Sequence, residues 1–197
     1  MKILAVGAHP DDAEISCGGL LALKGGVIVA LTSGVNGTRS EKTAEAESEA
    51  AAMVLGVSTV NLGLKELKYP EQILVHDLDD IIEMKGIDTV ITHPLHDTNQ
   101  EHAIAAQIAL AAARRLNRVL FWEPIPPSGR CDFRPQIYVD YTDRADLKFR
   151  AIEAYASQIR RKGRNLANTR EKLDEWRGQE MGVTFAEAYE VVRWQLC

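Results

Sequence analysis

The chain has 197 residues, 46% of them hydrophobic, with a formal net charge of −5. That length suits one well-filled α/β domain over 1–197 and excludes two ordinary ones. The acidic balance speaks against nucleic acid as a partner, since phosphates are bound by clustered Lys and Arg. No apolar run approaches the ~20 residues needed to span a bilayer, and no signal peptide precedes the first strand.

In chain order, residues 2–7 predict a strand, and His9-Pro10-Asp11-Asp12 follows it at once. Residues 12–24 predict a helix with Ile15, Leu20, Leu21 and Leu23 on its apolar side. Val27 to Leu31 predicts a second strand, and Ser33-Gly34-Val35-Asn36-Gly37-Thr38 a loop. An Ala- and Glu-rich helix over 41–55 stops at Gly56, and a short strand follows at 58–62. Ile73, Leu74, Leu78, Ile81 and Ile82 recur at helical spacing and predict a helix over 71–85. A fourth strand at 87–92, an Ala-rich helix at 100–116 and a fifth strand at 119–122 come next. Residues 123–135 hold Pro124, Pro126, Pro127, Gly129 and Pro135 and read as a long loop over a site. A strand at 137–141, helices at 144–160 and 166–178, and a last strand from about Tyr189 complete the chain. Arg160-Arg161-Lys162 with Arg164 reads as a solvated helix end. Cys17, Cys131 and Cys197 are far apart and form no CxxC pair, so a reducing, cytoplasmic setting without disulfides is expected.

This βαβα alternation implies an α/β three-layer sandwich with a mostly parallel sheet and helices on both faces. In the common order 3-2-1-4-5, here with C-terminal strands added, the order reverses between the first and fourth strands. Ligands of doubly wound sheets bind outside the strand carboxyl ends at that reversal. The His9 turn follows the first strand, and the segment His93 to His102 follows the fourth. His9, Asp12 and His102 would supply three ligands to a catalytic Zn²⁺ and leave a position open for water. Asp11, whose neighbour points elsewhere, would then face that water as general base. Iron(II) or another divalent ion suits the same ligands. Each residue also has a plainer reading: Asp11 or Asp12 as a helix cap, Asn99 as the N-cap of the helix carrying His102, His9 as a hydrogen-bonded strand-end histidine, and His76 as a helix-surface residue.

Ala8-His9-Pro10-Asp11-Asp12-Ala13-Glu14 resembles the first signature of the LmbE-like, PIG-L-type zinc deacetylases. Leu31-Thr32-Ser33-Gly34, the stretch from Glu49-Ala50-Ala51 to Leu55-Gly56-Val57, and Asp97 with Glu101-His102-Ala103 resemble later parts of that family. So do Phe133-Arg134-Pro135 to Val139-Asp140, Lys148, and Tyr155-Ala156-Ser157-Gln158. The resemblance implies a Rossmann-like fold and removal of the N-acetyl group from an N-acetylglucosamine-type sugar, with His9, Asp12 and His102 on zinc and Asp11 as base. It also implies a small-molecule N-acetylated amino sugar as partner and a homo-oligomer in some members. Two departures stand out. The family's His-x-Asp-His reads Asn99-Gln100-Glu101-His102 here, so Asn99 can donate to an oxyanion but cannot serve as an acid. Asp11 would then move the proton both ways, with His93 or His96 as alternative acids. Ala46 stands where the family carries an Arg, leaving Arg39 to contact substrate, with Arg130 or Arg134 available for a phosphate or carboxylate. The competing reading is a non-catalytic metal- or sugar-binding protein on the same scaffold. A nucleotide-binding protein is disfavoured because the first turn lacks G-x-G-x-x-G.

Overall fold

The computed structural model describes residues 1–35, 39–68, 72–125, 132–162 and 166–195, with only the backbone described at 160–162 and 166. Its elements run β1 (Ile3–Gly7), α1 (Asp12–Lys24), β2 (Val27–Thr32), α2 (Glu41–Leu55), β3 (Ser58–Leu64), α3 (Gln72–Lys85), β4 (Thr89–Thr92), α4 (Gln100–Ala112), β5 (Arg118–Trp122), β6 (Ile137–Asp140), α5 (Ala145–Glu153), α6 (Ala156–Lys162), α7 (Leu166–Met181) and β7 (Ala186–Trp194). The strands form one sheet in the order β3-β2-β1-β4-β5-β7-β6. The first five are parallel, while β7 runs antiparallel to both β5 and β6. The expected order 3-2-1-4-5 holds, and the C-terminal strands extend it with β7 inside β6.

Alternation along the strands splits the core into two layers. Leu4, Val6, Val29, Leu31 and Val90 point to the face covered by α3 and α4 through Leu74, Leu78, Ala105 and Ile108. Ile3, Ala5, Ile28, Ile91 and Leu120 point to the other, where Leu20, Leu21, Ala51, Leu55 and Ala151 cover them. No helix among the described residues is long and apolar enough to cross a membrane.

Several boundaries differ from the sequence expectation. The span 144–160 divides into α5 and α6 around Ala154 and Tyr155, because the Tyr155 side chain is buried and its hydroxyl donates to Glu14 at 2.6 Å. The last strand begins at Ala186 rather than near Tyr189, paired to β6 from its first residue. The fourth helix gives way to a 3-10 turn at Ala113–Arg115. Position 71, Cys131, Cys197 and Arg164 lie outside the described residues.

The α1 helix is kinked at Cys17, whose φ of −137° is not helical. The kink releases the Gly19 and Leu20 amides, which donate to the Glu187 carboxylate at 2.7 and 2.8 Å. Gly19 is required there, since a Cβ would fall 2.3 Å from the Tyr141 ring.

Candidate metal centre and cleft

The β1 strand ends at Gly7, where a Cβ would lie 2.9 Å from the Cβ of Asp12. Asp12 therefore folds back over the strand end, and its Oδ2 accepts the His9 amide at 2.7 Å. Between them, Asp11 takes φ 113° and ψ −25°, the sole positive φ of a non-glycine among the described residues. Asp11 is the N-cap residue of α1, yet its side chain makes no capping hydrogen bond. The capping reading thus does not account for its carboxylate, which lines the cleft.

The β4 strand pairs directly with β1, and this brings the second half-site alongside. Ligand atoms of His9, Asp12 and His102 lie within 4.8 Å of one another. The partners of each ring fix its orientation. His102 Nδ1 sits 3.0 Å from Asp97 Oδ2, which assigns the proton to Nδ1 and leaves Nε2 facing Asp12 Oδ1 at 3.6 Å. His9 Nε2 sits 2.7 Å from Glu101 Oε2 and its Nδ1 3.4 Å from Asp12 Oδ2. Both imidazoles thus point one nitrogen at the Asp12 carboxylate and hand the other to a carboxylate behind.

His93 lies beneath this set, 2% exposed and stacked on His102 with centroids 3.9 Å apart. The Trp122 indole N–H donates to His93 Nδ1 at 3.3 Å, so Nε2 carries the proton and donates to Asp12 Oδ2 at 3.0 Å. The Ala8 amide also approaches Nε2, at 3.3 Å, and is the weaker neighbour. His93, Asp97 and His102 form a second group with metal-ligand spacing, but both His93 nitrogens are engaged and the His102 Nδ1 proton serves Asp97. The first group is the candidate cation site.

The electrostatics agree. Burial pushes the His93 imidazole down to about 4, with the neighbouring His102 charge adding to it, so His93 is neutral. Burial also opposes a charged His9, but Asp12 and then Glu101 outweigh it and push that imidazole up to about 10. Burial would raise Asp12, yet the three histidines around it, His102 first, hold its carboxyl well below the usual range. The carboxylates around His9 thus favour a positive charge at this point, as a cation site must.

The cleft above these residues encloses about 410 Å³ and is lined further by Thr32, Gly34, Arg39, Lys65, Asn99 and Gln158. Asn99 caps α4, its Oδ1 accepting the Glu101 amide at 2.9 Å, so Nδ2 is its remaining side-chain donor. Arg39 is 4% exposed. Ala46 is exposed on α2, while Glu47 and Ser48 face inward. Arg134 is exposed and does not line this cleft, and Arg130 lies outside the described residues. His96 is exposed and away from the cleft. Sequence reasoning did not single out Glu101 and Asp97 as partners of the ligand histidines, or Lys65 and Gln158 as cleft residues. Asp97 and Glu101 carried a sequence signal as part of the family resemblance around His102, and Gln158 as part of Tyr155-Ala156-Ser157-Gln158.

The family described as PIG-L, GlcNAc-PI de-N-acetylase, matches residues 4–113. An uncharacterized deacetylase of Escherichia coli, YaiS, is 31% identical over 149 residues, 69% of this chain and 80% of that protein. Among solved structures, the conserved protein TT1542 of Thermus thermophilus is 25% identical and superposes with a TM-score of 0.87 over 100% of this chain and 97% of that one. GalB, the 4-carboxy-2-hydroxymuconate hydratase of Pseudomonas putida, is 24% identical with a TM-score of 0.82 over 100% of this chain and 98% of that one. The last likeness is one of fold.

Proposed function

Since the chain belongs to the PIG-L family of de-N-acetylases, we propose that it is a metal-dependent amidohydrolase removing the N-acetyl group of an N-acetylglucosamine-type substrate. The observation that supports this most is the candidate ligand set: ligand atoms of His9, Asp12 and His102 lie within 4.8 Å of one another, each histidine hydrogen-bonded to a further carboxylate, with Asp11 lining the same cleft.

The residues present fit a divalent cation. Two imidazoles and one carboxylate make the mixed nitrogen and oxygen donor set of catalytic zinc, and iron(II) accepts it as well. A cation bound there supplies Lewis acidity, lowering the pKa of water and polarising the acetamide carbonyl. The chain's own residues do the rest. Asp11 takes the proton from the attacking water, whose oxygen bonds to the carbonyl carbon. The Asn99 amide Nδ2 donates to the oxygen that gains charge. The C–N bond then breaks, and the amine leaves with the proton that Asp11 returns, because neither Asn99 nor the engaged His93 has one to give. Acetate and a free amine are the products. We further propose that one domain over 1–197 carries this activity and that it works in a reducing compartment, where the buried thiol of Cys17 stays unpaired.

One second reading is favoured by a specific residue: Asn99 in place of the acid points to a metal- or sugar-binding protein without catalysis. Acetate release from a panel of N-acetylglucosamine derivatives decides between the two. The expected result is turnover by the protein loaded with about one divalent ion per chain. In Asp11→Asn the ion should be retained while kcat falls about 10²–10⁴-fold, the range of a lost general base. Equal activity in that variant removes Asp11 from its role. No acetate from any member of the panel removes the deacetylase reading.

A further inference from the structure

Trp122 ends β5 beneath the candidate cation site. It is fully buried and meets the His93 ring edge-on, with centroids 4.6 Å apart and planes at 73°. His93 lies between two carboxylates. Its Nε2 faces Asp12 Oδ2 at 3.0 Å, and its Nδ1 faces Asp97 Oδ2 at 4.0 Å. Two N–H groups compete for the same ring: Trp122 Nε1, 3.3 Å from Nδ1, and the Ala8 amide, 3.3 Å from Nε2. A neutral imidazole has one proton to place, so the ring has two self-consistent arrangements. With the proton on Nε2, Asp12 and Trp122 are served. With it on Nδ1, Asp97 and Ala8 are served, and the Nε2 lone pair is turned on the Asp12 carboxylate. The second arrangement strands the buried indole donor, which costs about 1–3 kcal/mol, while Asp97 Oδ2 already has a partner in His102 Nδ1 at 3.0 Å.

The choice matters because of what it leaves Asp12. Oδ2 accepts the His9 amide at 2.7 Å as well as His93 Nε2, and two donors fill the two lone pairs of that oxygen. Oδ1, which faces His102 Nε2 at 3.6 Å, is then the oxygen left to a cation. A carboxylate bound through one oxygen keeps a coordination position for water that a chelating carboxylate would take.

We propose that Trp122 is a positioning residue of the cation site: its indole N–H holds the His93 proton on Nε2, and the resulting hydrogen bond commits Asp12 Oδ2 to the protein and reserves Oδ1 for the metal. This rests on the metal-dependent reading for the cation, and not on which acylated sugar is cleaved.

Two measurements test it. In the first, proton–nitrogen correlation spectra of the isotope-labelled, chelated protein read which His93 nitrogen bears the proton. Nε2 should carry it in wild type. Nδ1 should gain it in Trp122→Phe, which keeps an aromatic ring and removes the N–H. In the second, zinc affinity is measured by competition with a chromogenic chelator. Trp122→Phe should bind zinc about tenfold to a hundredfold more weakly, the range for a lost outer partner of a metal ligand. His93→Gln offers Asp12 an amide N–H that no tautomer controls, so it should bind zinc at least about tenfold more tightly than His93→Leu. Adding Trp122→Phe to His93→Gln should then cost less than about threefold. The indole leaves the same cavity in both backgrounds, so a packing role would cost both equally. A wild-type proton on Nδ1, an unmoved proton or unchanged zinc affinity in Trp122→Phe, or an equal loss in the His93→Gln background overturns the proposal. If Trp122→Phe does not fold, the wild-type spectrum and the two His93 variants carry the test, and equal zinc affinity in those variants overturns it. A wild type that binds neither zinc nor iron(II) removes the metal-dependent reading and this inference with it. Zinc binding that depends on Trp122 without acetate release from any substrate retains the inference and removes only the deacetylase reading.

Discussion

Asp11 holds φ at 113° while 5% exposed, a backbone state that costs an aspartate about 1–3 kcal/mol. With its side chain making no cap, the strain is tied to where the carboxylate stands, beside the cation ligands. Asn99 caps α4, and the proposed mechanism gives it a second, separable duty. Asn99→Ala should lose the α4 cap, about 1 kcal/mol, together with the oxyanion donor, about 10²–10³ in kcat. Asn99→Asp keeps a cap acceptor but has no amide donor, so thermal stability should persist while kcat falls. Unchanged kcat in that variant would confine Asn99 to capping. Glu14 shows the cost of polar groups under the site. Burial pushes its carboxyl up to about 7, against the hydrogen bond from Tyr155. In the unfolded chain it titrates near its ordinary value of 4.5. Between those values the folded state holds a proton that the unfolded state has released, so this group's stabilising contribution is complete below about pH 4.5 and is lost as pH rises to about 7. Urea unfolding of chelated protein from pH 5 to 8 should show that decline in wild type, on the order of 3 kcal/mol, and little of it in Glu14→Gln.

The helices obey their local periodicity until a distant partner intervenes. The 12–24 helix was legible from Ile15, Leu20 and Leu21, but its kink at Cys17 serves Glu187, a residue of the last strand. Glu187 also accepts from Lys148 Nζ at 2.7 Å and the Tyr189 hydroxyl at 2.7 Å, and Lys148 Nζ reaches Asp174 at 2.6 Å. Asp174 in turn pairs with Arg170 and accepts from Tyr141. This fully buried network ties α1, α5, α7 and β7 together. Burial would raise Asp174, but Arg170 and Lys148 hold its carboxyl below its usual value. Its contribution is therefore present above the unfolded carboxyl pKa and lost as pH falls through the lower folded value. Lys148→Met should destabilise the protein by about 3–5 kcal/mol at neutral pH, since it removes the cation shared by two buried carboxylates. A smaller loss, read by denaturant unfolding, would mean that water or rearrangement satisfies them.

At the scale of the molecule, β1 and β4 are neighbours at the point where strand order reverses, so two turns some ninety positions apart bring His9, Asp12 and His102 together as one candidate cation site. A ligand that binds only the folded state stabilises it by mass action, about 2.7 kcal/mol at a hundred times its Kd. Removing the cation with a chelator should therefore lower Tm by about 5–10 °C for a chain of this length, and re-adding zinc should restore it. No change in Tm would mean the site holds no ion of such affinity. By itself the sequence determined the element types, the α/β layering and the two His- and Asp-bearing turns, because hydrophobic period and turn chemistry act over a few residues. Only the tertiary structure decided that Glu101 and Asp97 orient the ligand histidines, that His93 is sealed against Trp122, that Arg39 rather than Arg134 lines the cleft, and that a carboxylate from β7 caps a kink in α1. Those contacts join residues that chain spacing leaves unrelated, and it is burial, which no local pattern records, that sets their protonation and their worth.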